Sequence, residues 1–217
     1  MTDPKPSKSL RVVQAAVLMF MIVGCAATPT APTTSSASIS DSELPRHGWE
    51  EEPDFKSLRE SWGWSDSYTE LCQSGRPIQE MVEQMNSEQW ELAAETGNRW
   101  LNQCPVDMRI HHYTGISLAE SDKGEQAEHH FRWASGLMDS LVASGDGMSP
   151  ETAYFTISIA ESYDALYFFG IEFKSQSLIS EPVMADLFVG ENEAGEEVSL
   201  YFNPAPHFAR LIELFGE

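Results

Sequence analysis

Two pairs of adjacent histidines carry the side chains in this sequence that are best suited to metal binding. His111-His112 and His129-His130 lie in segments with helical patterns, and imidazole is a common metal ligand. Adjacent residues on a helix point to different faces, so neither pair directs both rings at one ion. The chain has no His-Glu-x-x-His spacing to complete a site. We therefore predict no metal and no cofactor, and full zinc loading of the purified protein would overturn that prediction.

Cys72 and Cys104 form the second candidate pair, because two thiols in an oxidising compartment can join. A bridge would close a loop of 33 residues and stabilise the fold by roughly 3–4 kcal/mol through chain entropy. Two buried free thiols are the alternative, and the sequence leaves the choice open. An unchanged mass after alkylation without reductant would support the bridge, whereas two added labels would exclude it.

The N-terminus has the organisation of an export signal. Three basic residues precede an apolar run of 13 residues, 12–24, which is too short to span a membrane comfortably. The run ends in Ile-Val-Gly followed by Cys25, and this resembles the lipobox of bacterial lipoproteins. The resemblance implies cleavage before Cys25 and attachment of a lipid anchor, such as palmitate, to that residue. An uncleaved anchor helix is the alternative.

Composition divides the chain into four parts. Residues 1–24 are the predicted signal peptide, and residues 25–45 are a flexible tether rich in Ser, Thr and Pro. Residues 46–143 are a helical, tetratricopeptide-like region, and residues 144–217 are a small α+β region. Ala26, rather than Asp, follows the lipidated cysteine, which favours the outer membrane of a Gram-negative cell, facing the periplasm.

The net charge excludes one large class of partner. The 217 residues include 13 basic and 34 acidic side chains, for a formal charge of −21. Binding to nucleic acid needs clustered Lys and Arg to neutralise phosphates, so we expect none. An acidic protein is also repelled by anionic lipid headgroups, so the lipid must supply the membrane attachment.

Small residues recur in the helical region at the tetratricopeptide period. Ala93, Gly97 and Trp100 are followed, 34 residues after Ala93, by Ala127, Phe131 and Ala134 at the same spacing, with Gly115 and Leu118 between them. The pattern predicts closely packed helical hairpins. The Trp62-Gly63-Trp64 cluster is either a binding platform or, more commonly for tryptophan, part of the core.

The C-terminal region has the pattern of a small sheet with helices. Alternation at Phe155, Ile157 and Ile159 predicts a strand, residues 160–169 a helix ending at Gly170, and residues 171–178 a second strand. Residues 184–189 and 197–202 flank an acidic turn and predict a hairpin. A closing helix over 204–215 completes the order strand, helix, strand, strand, strand, helix. The fold class predicted is α+β, with the sheet packed on the helical region.

The sequence SGDGMSPETAYFTISIAESYDALYFFGIEFKSQSL over 144–178, with Leu-Tyr-Phe-Asn at 200–203, resembles the domain-of-unknown-function family 4919. The similarity covers roughly residues 54–215. Where the family often has a Gly-His-x-Tyr-Asp-like segment, only Asp186 corresponds here. The family has no established activity, so the resemblance implies a fold and an exported protein, without a reaction.

Three functions remain at this point. We rank first a non-catalytic interaction module at the cell envelope, which binds a partner protein there. Second is a small-ligand binder with a pocket between the two halves, lined by aromatic residues Trp133, Tyr163, Tyr167 and Phe168. Third is a hydrolase, which we rank last because the chain has no Gly-x-Ser-x-Gly, phosphate-loop or metal motif, and we assign no catalytic residue.

Overall fold

The computed structural model describes residues 52–215, with side chains as far as residue 213. The predicted signal peptide, 1–24, and the predicted tether, 25–45, with Cys25 lie outside these residues. Within them the helices are α1 Phe55–Gly63, α2 Ile78–Asn86, α3 Trp90–Leu101, α4 Met108–Glu120, α5 Gly124–Val142, α6 Ile159–Phe168 and α7 Ala205–Phe215. The strands are β1 Tyr154–Phe155, β2 Glu172–Ile179, β3 Ala185–Glu191 and β4 Glu197–Asn203. A π-helical turn, Thr69–Gln73, and a 3₁₀ turn, Pro150–Thr152, lie between helices and strands. No helix in this part of the chain is long and apolar enough to cross a membrane.

Helices α3, α4 and α5 pack closely because glycines stand where they touch. A Cβ atom at Gly97 in α3 would lie 2.0 Å from Oγ1 of Thr114 in α4. A Cβ atom at Gly115 in α4 would lie 2.6 Å from Cε1 of Phe131 in α5. The small residues of the 34-residue pattern therefore mark helix contacts, and the predicted helical hairpins are confirmed.

The sheet has the order β1-β4-β3-β2, with β1 parallel to β4 and the other pairs antiparallel. Strands β3 and β4 form the predicted hairpin, in register from Asp186 opposite Phe202 to Glu191 opposite Glu197. Gly195 in its turn has φ +79°, a conformation that costs glycine little because it has no Cβ atom. The predicted order of strands and helices is confirmed.

One apolar core joins the two halves of the molecule. Leu137 of α5, Leu166 of α6 and Phe188 of β3 belong to the same buried cluster. Tyr163 of α6 packs edge-on against Phe188, with ring centroids 5.0 Å apart. The small sheet thus completes its core against the helices, as its size required, and the α+β fold class is confirmed.

The strand predicted over residues 155–159 is wrong in its extent. Strand β1 contains only Tyr154 and Phe155, and α6 already begins at Ile159. Ser158 is the N-cap of α6, and its Oγ accepts a hydrogen bond from the backbone N of Glu161 at 3.1 Å. Because Ser158 caps the helix, the strand ends before the alternating sequence pattern does.

Cys72 and Cys104 are joined by a disulfide bond, with their Cα atoms 5.1 Å apart. The bond links the π-helical turn to the connection between α3 and α4. Both cysteines are buried. The bridge therefore fixes the segment before α2 against the end of α3.

Candidate functional site

Arg76 is the centre of an ion-pair network where the two halves meet. Its Nε and Nη2 atoms donate to Oδ2 and Oδ1 of Asp107 at 2.7 and 2.6 Å. Its Nη1 atom donates to Oδ1 of Asp164 at 3.2 Å, and Nη2 also contacts the other oxygen of that carboxylate. Because Arg76 precedes α2, Asp107 precedes α4 and Asp164 lies in α6, one guanidinium ties three segments together.

Asp107 is held in place by its own helix. It is the N-cap of α4, and its Oδ1 accepts from the backbone N of Ile110 at 3.1 Å. Its Oδ2 accepts from Nε1 of Trp100 at 2.9 Å. With the two bonds from Arg76, each carboxylate oxygen has two donors, so the hydrogen-bonding capacity of Asp107 is filled.

A second, fully buried pair joins α1 to α6. Nη1 of Arg59 donates to Oε2 of Glu161 at 3.0 Å and to the backbone oxygen of Phe155 at 2.9 Å. Its Nε and Nη2 atoms donate to Oγ and the backbone oxygen of Ser140 at 2.9 and 3.3 Å. The guanidinium therefore has no contact with solvent, and its charge is balanced locally.

Glu161 is positioned by the first turn of α6. Besides Arg59, its Oε2 accepts from the backbone N of Ile157 at 2.7 Å. Together with the Ser158 cap, this is a variant of the capping box, Ser-x-x-Glu, in which the carboxylate accepts from the residue before the N-cap. That signature stands in the sequence at 158–161 and would have located both the start of α6 and this buried carboxylate.

Burial changes the acidity of this network. It raises the pKa of Asp164 to about 6, although Arg76 acts in the opposite direction. Burial also raises the pKa of Glu161, against the lowering effect of Arg59. The pKa of Tyr68 is raised for the same reason and, next, by the charge of Glu161. Asp164 thus takes up a proton in mild acid, which weakens its pairing with Arg76.

A narrow cleft, which we call the junction cleft, opens beside this network. Its volume is about 280 Å³, including its open mouth. It is lined by polar residues Tyr68, Arg76, Asp107, Ser158, Glu161 and Asp164 and by apolar residues Cys72, Cys104, Val106, Met108 and Ala160. The space is smaller than that of usual ligand pockets, so it suits a water molecule or the head group of a small molecule.

The aromatic residues predicted to line a pocket do not come together. Trp133 is buried elsewhere, edge-on to Phe55 at 5.5 Å and stacked on His111 at 5.0 Å. Tyr163 packs on the sheet, and Tyr167 lies against Phe168 and the guanidinium of Arg109. None of the four predicted side chains lines the junction cleft. A cleft between the halves thus exists, but the four predicted side chains lie outside its lining.

One further aromatic prediction concerns Trp62. Trp62 is 2% exposed and belongs to the main buried cluster, so it fills the core and does not form an open platform.

The four adjacent histidines are packed in helix contacts. Nδ1 of His111 lies 3.0 Å from Nδ1 of His130, and Nε2 of His111 lies 3.0 Å from the backbone oxygen of Pro105. A carbonyl oxygen only accepts, so Nε2 of His111 carries a proton. In a neutral ring its Nδ1 then accepts from Nδ1 of His130. His112 lies among the rings of Phe131, Tyr167 and Phe168. Within residues 52–215, no group of His, Cys, Asp and Glu is arranged to hold a metal ion.

The outer edge of β2 is the other region with functional potential. Strand β2 ends the sheet, and no other described strand pairs with its outer side. A bulge at Lys174, which also pairs with Glu191, interrupts the first half of this edge. Such bulges and lysines normally protect an edge from unwanted pairing. The second half, residues 175–179, keeps a regular register with β3 and lies at the surface.

The fold and the two sites define an α+β protein in which close helical hairpins share a buried ionic junction with a small, open-edged sheet. Residues 52–209 match the sequence model of the family described as "Domain of unknown function (DUF4919)". The chain belongs to this family. No curated protein and no solved structure matches the chain.

Proposed function

We propose that the protein is a lipid-anchored protein of the bacterial cell envelope that binds a partner protein without catalysing a reaction. The basic N-terminus, the short apolar run and the lipobox ending in Cys25 support the anchor. Ala26 after the cysteine supports the outer membrane, with the domain facing the periplasm. The tether over 25–45 then gives the folded domain reach to meet a partner.

The observation that carries the interaction role is the position of the exposed apolar side chains. Of the eight large hydrophobic residues that are exposed in the described chain, four lie in β2 and the loop after it: Phe173, Leu178, Val183 and Met184. In the sequence they lie within or flank the open half of the strand edge, residues 175–179. Clustered exposed apolar groups mark surfaces that bind other molecules more often than scattered ones do.

An extended segment of a partner protein fits this surface best. The open edge offers backbone groups to an added strand, and the apolar side chains offer contacts to alternate residues of that strand. The net charge of −21 favours a segment that also carries Lys or Arg. We therefore propose that the partner supplies a short extended segment with alternating apolar and basic side chains.

Crosslinking in cells tests this function. Leu178→Asp places a charge in the proposed surface, and Leu92→Asp places the same charge on a comparably exposed leucine of α3. We expect one envelope protein to crosslink to the wild type and to the Leu92→Asp variant, but not to the Leu178→Asp variant. Equal crosslinking by all three would contradict the assignment of the surface.

The anchor has its own test. Labelled fatty acid should be incorporated into the wild-type protein and should be absent from a Cys25→Ala variant. Label that persists in the variant would show that Cys25 is not the lipidated residue. Loss of the partner crosslink in that variant would show that binding depends on the membrane position.

A further inference from the structure

Among the hydrogen-bonding groups that the structure describes around the junction cleft, one buried acceptor has no donor. Each guanidinium nitrogen of Arg59 and Arg76 has at least one acceptor, and both oxygens of Asp107 accept two bonds. Oε2 of Glu161 accepts two bonds. Oε1 of Glu161 is buried and has no hydrogen-bond partner within residues 52–215, and the residue is only 4% exposed. Because Glu161 also lines the cleft, this oxygen is the acceptor that a donor bound there would satisfy.

The charges that line the cleft favour a cationic donor. Three carboxylates line it, those of Asp107, Glu161 and Asp164, but only one cation, that of Arg76. Arg59 reaches Glu161 through the other oxygen, and Arg109 stands 3.8 Å from Asp164. Burial raises the pKa values of Glu161 and Asp164, which means that the charged forms are under-compensated. A positive charge placed beside Oε1 would relieve this deficit.

The shape of the cleft limits the size of such a cation. Its narrow part has space for about one water-sized group, which an ammonium head group matches. The hydroxyl of Tyr68 donates to Oγ of Ser158 at 3.1 Å, so the phenol oxygen retains a lone pair for a second hydrogen bond. Val106, Met108 and Ala160 supply an apolar wall for a short alkyl group.

We propose that the junction cleft binds a small primary amine, whose ammonium group donates to Oε1 of Glu161 and to the hydroxyl of Tyr68. Its alkyl group then lies against Val106 and Met108. The binding is non-covalent and does not depend on the partner surface at β2. It would give this envelope protein a second, small-molecule ligand, held at the contact between its two halves.

Methylammonium chloride is the probe that tests this site in the full-length protein. Tetramethylammonium chloride carries the same charge without an N–H donor, and sodium chloride controls for ionic strength. At ten times its dissociation constant, methylammonium should raise the thermal unfolding midpoint by about 3–6 °C. The two control salts should leave it unchanged. Equal effects of all three salts would overturn the proposal.

Glu161→Gln is the decisive variant, because the amide oxygen can still accept from Arg59 while the amide nitrogen turns a donor towards the cleft. A water molecule can accept that hydrogen, but an ammonium group cannot. The methylammonium shift should disappear in this variant. It should persist in Asp186→Asn, which changes another buried carboxylate with an unpartnered oxygen, outside the cleft. The same shift in Glu161→Gln as in the wild type would overturn the proposal.

Two measurements remain decisive if Glu161→Gln fails to fold. Saturation-transfer NMR on the wild-type protein should give a signal from the methyl protons of methylammonium and none from those of tetramethylammonium. Tyr68→Phe keeps the ring but removes one acceptor, so it should weaken methylammonium binding about three- to tenfold. No methylammonium signal from the folded wild-type protein would mean that the cleft holds water only, and the proposal would be wrong.

Discussion

Polar and apolar groups are arranged in opposite ways at two places in the molecule: the junction between the two halves and the outer edge of β2. At the junction, charged groups are buried and almost every donor and acceptor is paired, as the fully buried Arg59 shows. At the edge, backbone groups lie at the surface and Leu178 is 59% exposed. Paired donors and acceptors fix one arrangement of the two halves. Unpaired backbone groups and exposed apolar side chains leave a surface for another molecule. Substitutions at the junction should therefore affect stability, and those at the edge should affect binding.

The largest effect is expected when the buried ion pair is broken. Arg59→Ala leaves the carboxylate of Glu161 buried without its cation, which should lower the free energy of unfolding by about 3–5 kcal/mol. Lys56→Ala is the matched control, because Lys56 pairs with Glu60 at 2.8 Å on the surface of the same helix. That change should cost less than about 0.5 kcal/mol. Urea unfolding of both variants checks the comparison, and equal losses would contradict it.

Acid should lower the free energy of unfolding through His112 of α4. Burial lowers the pKa of His112 to about 4, with a further contribution from the charge of Arg109. Between pH 6.5 and pH 4 the unfolded chain therefore binds a proton that the folded protein refuses, so stability falls as the pH falls. The free energy of unfolding should drop between pH 7 and pH 4 by on the order of 3 kcal/mol more in the wild type than in His112→Phe.

Urea unfolding at the two pH values measures that difference. The opposite contribution of Asp164, whose raised pKa favours the folded state as the pH falls through 6, is present in both proteins and cancels. Identical pH dependence of the two proteins would contradict the buried, neutral state of His112.

A smaller loss is expected from crowding the helical hairpin. Gly97→Ala would place a Cβ atom 2.0 Å from Oγ1 of Thr114, so α3 must move away from α4. The free energy of unfolding should fall by about 1–3 kcal/mol. Gly124→Ala, where a Cβ atom meets nothing within 4 Å, should be neutral or slightly stabilising. Thermal unfolding distinguishes the two, and equal effects would refute the close packing at Gly97.

The smallest effect on stability is expected at the edge of β2. Leu178→Asp changes an exposed side chain, so the free energy of unfolding should stay within about 0.5 kcal/mol of the wild type. A loss comparable to that of Arg59→Ala would show that the edge belongs to the core of the fold. The comparison between a structural junction and a binding edge would then fail.

The sequence predicted the elements well where a local pattern determines them. The hairpin follows from alternation on either side of Gly195. The packing of α3 on α4 follows from Gly97, and that of α4 on α5 follows from Gly115. Alternation over 155–159 predicts a longer strand than the two residues of β1, because Ser158 caps α6 within that range. Local periodicity thus identified elements more reliably than their ends.

The junction could not be predicted in the same way. Its charged residues come from segments far apart in the chain, and Arg76, Asp107 and Asp164 have no shared motif. In a chain with 34 acidic side chains, no single carboxylate stands out by composition. Only the capping signatures at Asp107 and Glu161 mark two of them as structurally fixed. The apolar surface at β2 was also missed, because exposure depends on what the fold leaves uncovered.

Site-specific photocrosslinking tests the central proposal most directly. A photoreactive amino acid at Ser177, in the open half of β2, is compared in cells with the same amino acid at exposed Glu95 of α3. We expect one envelope protein to crosslink from position 177 and not from position 95, with the contact mapped to an extended segment that carries basic residues. Crosslinks from position 95 alone, or to the same protein from both positions, would contradict a partner site at the edge of the sheet.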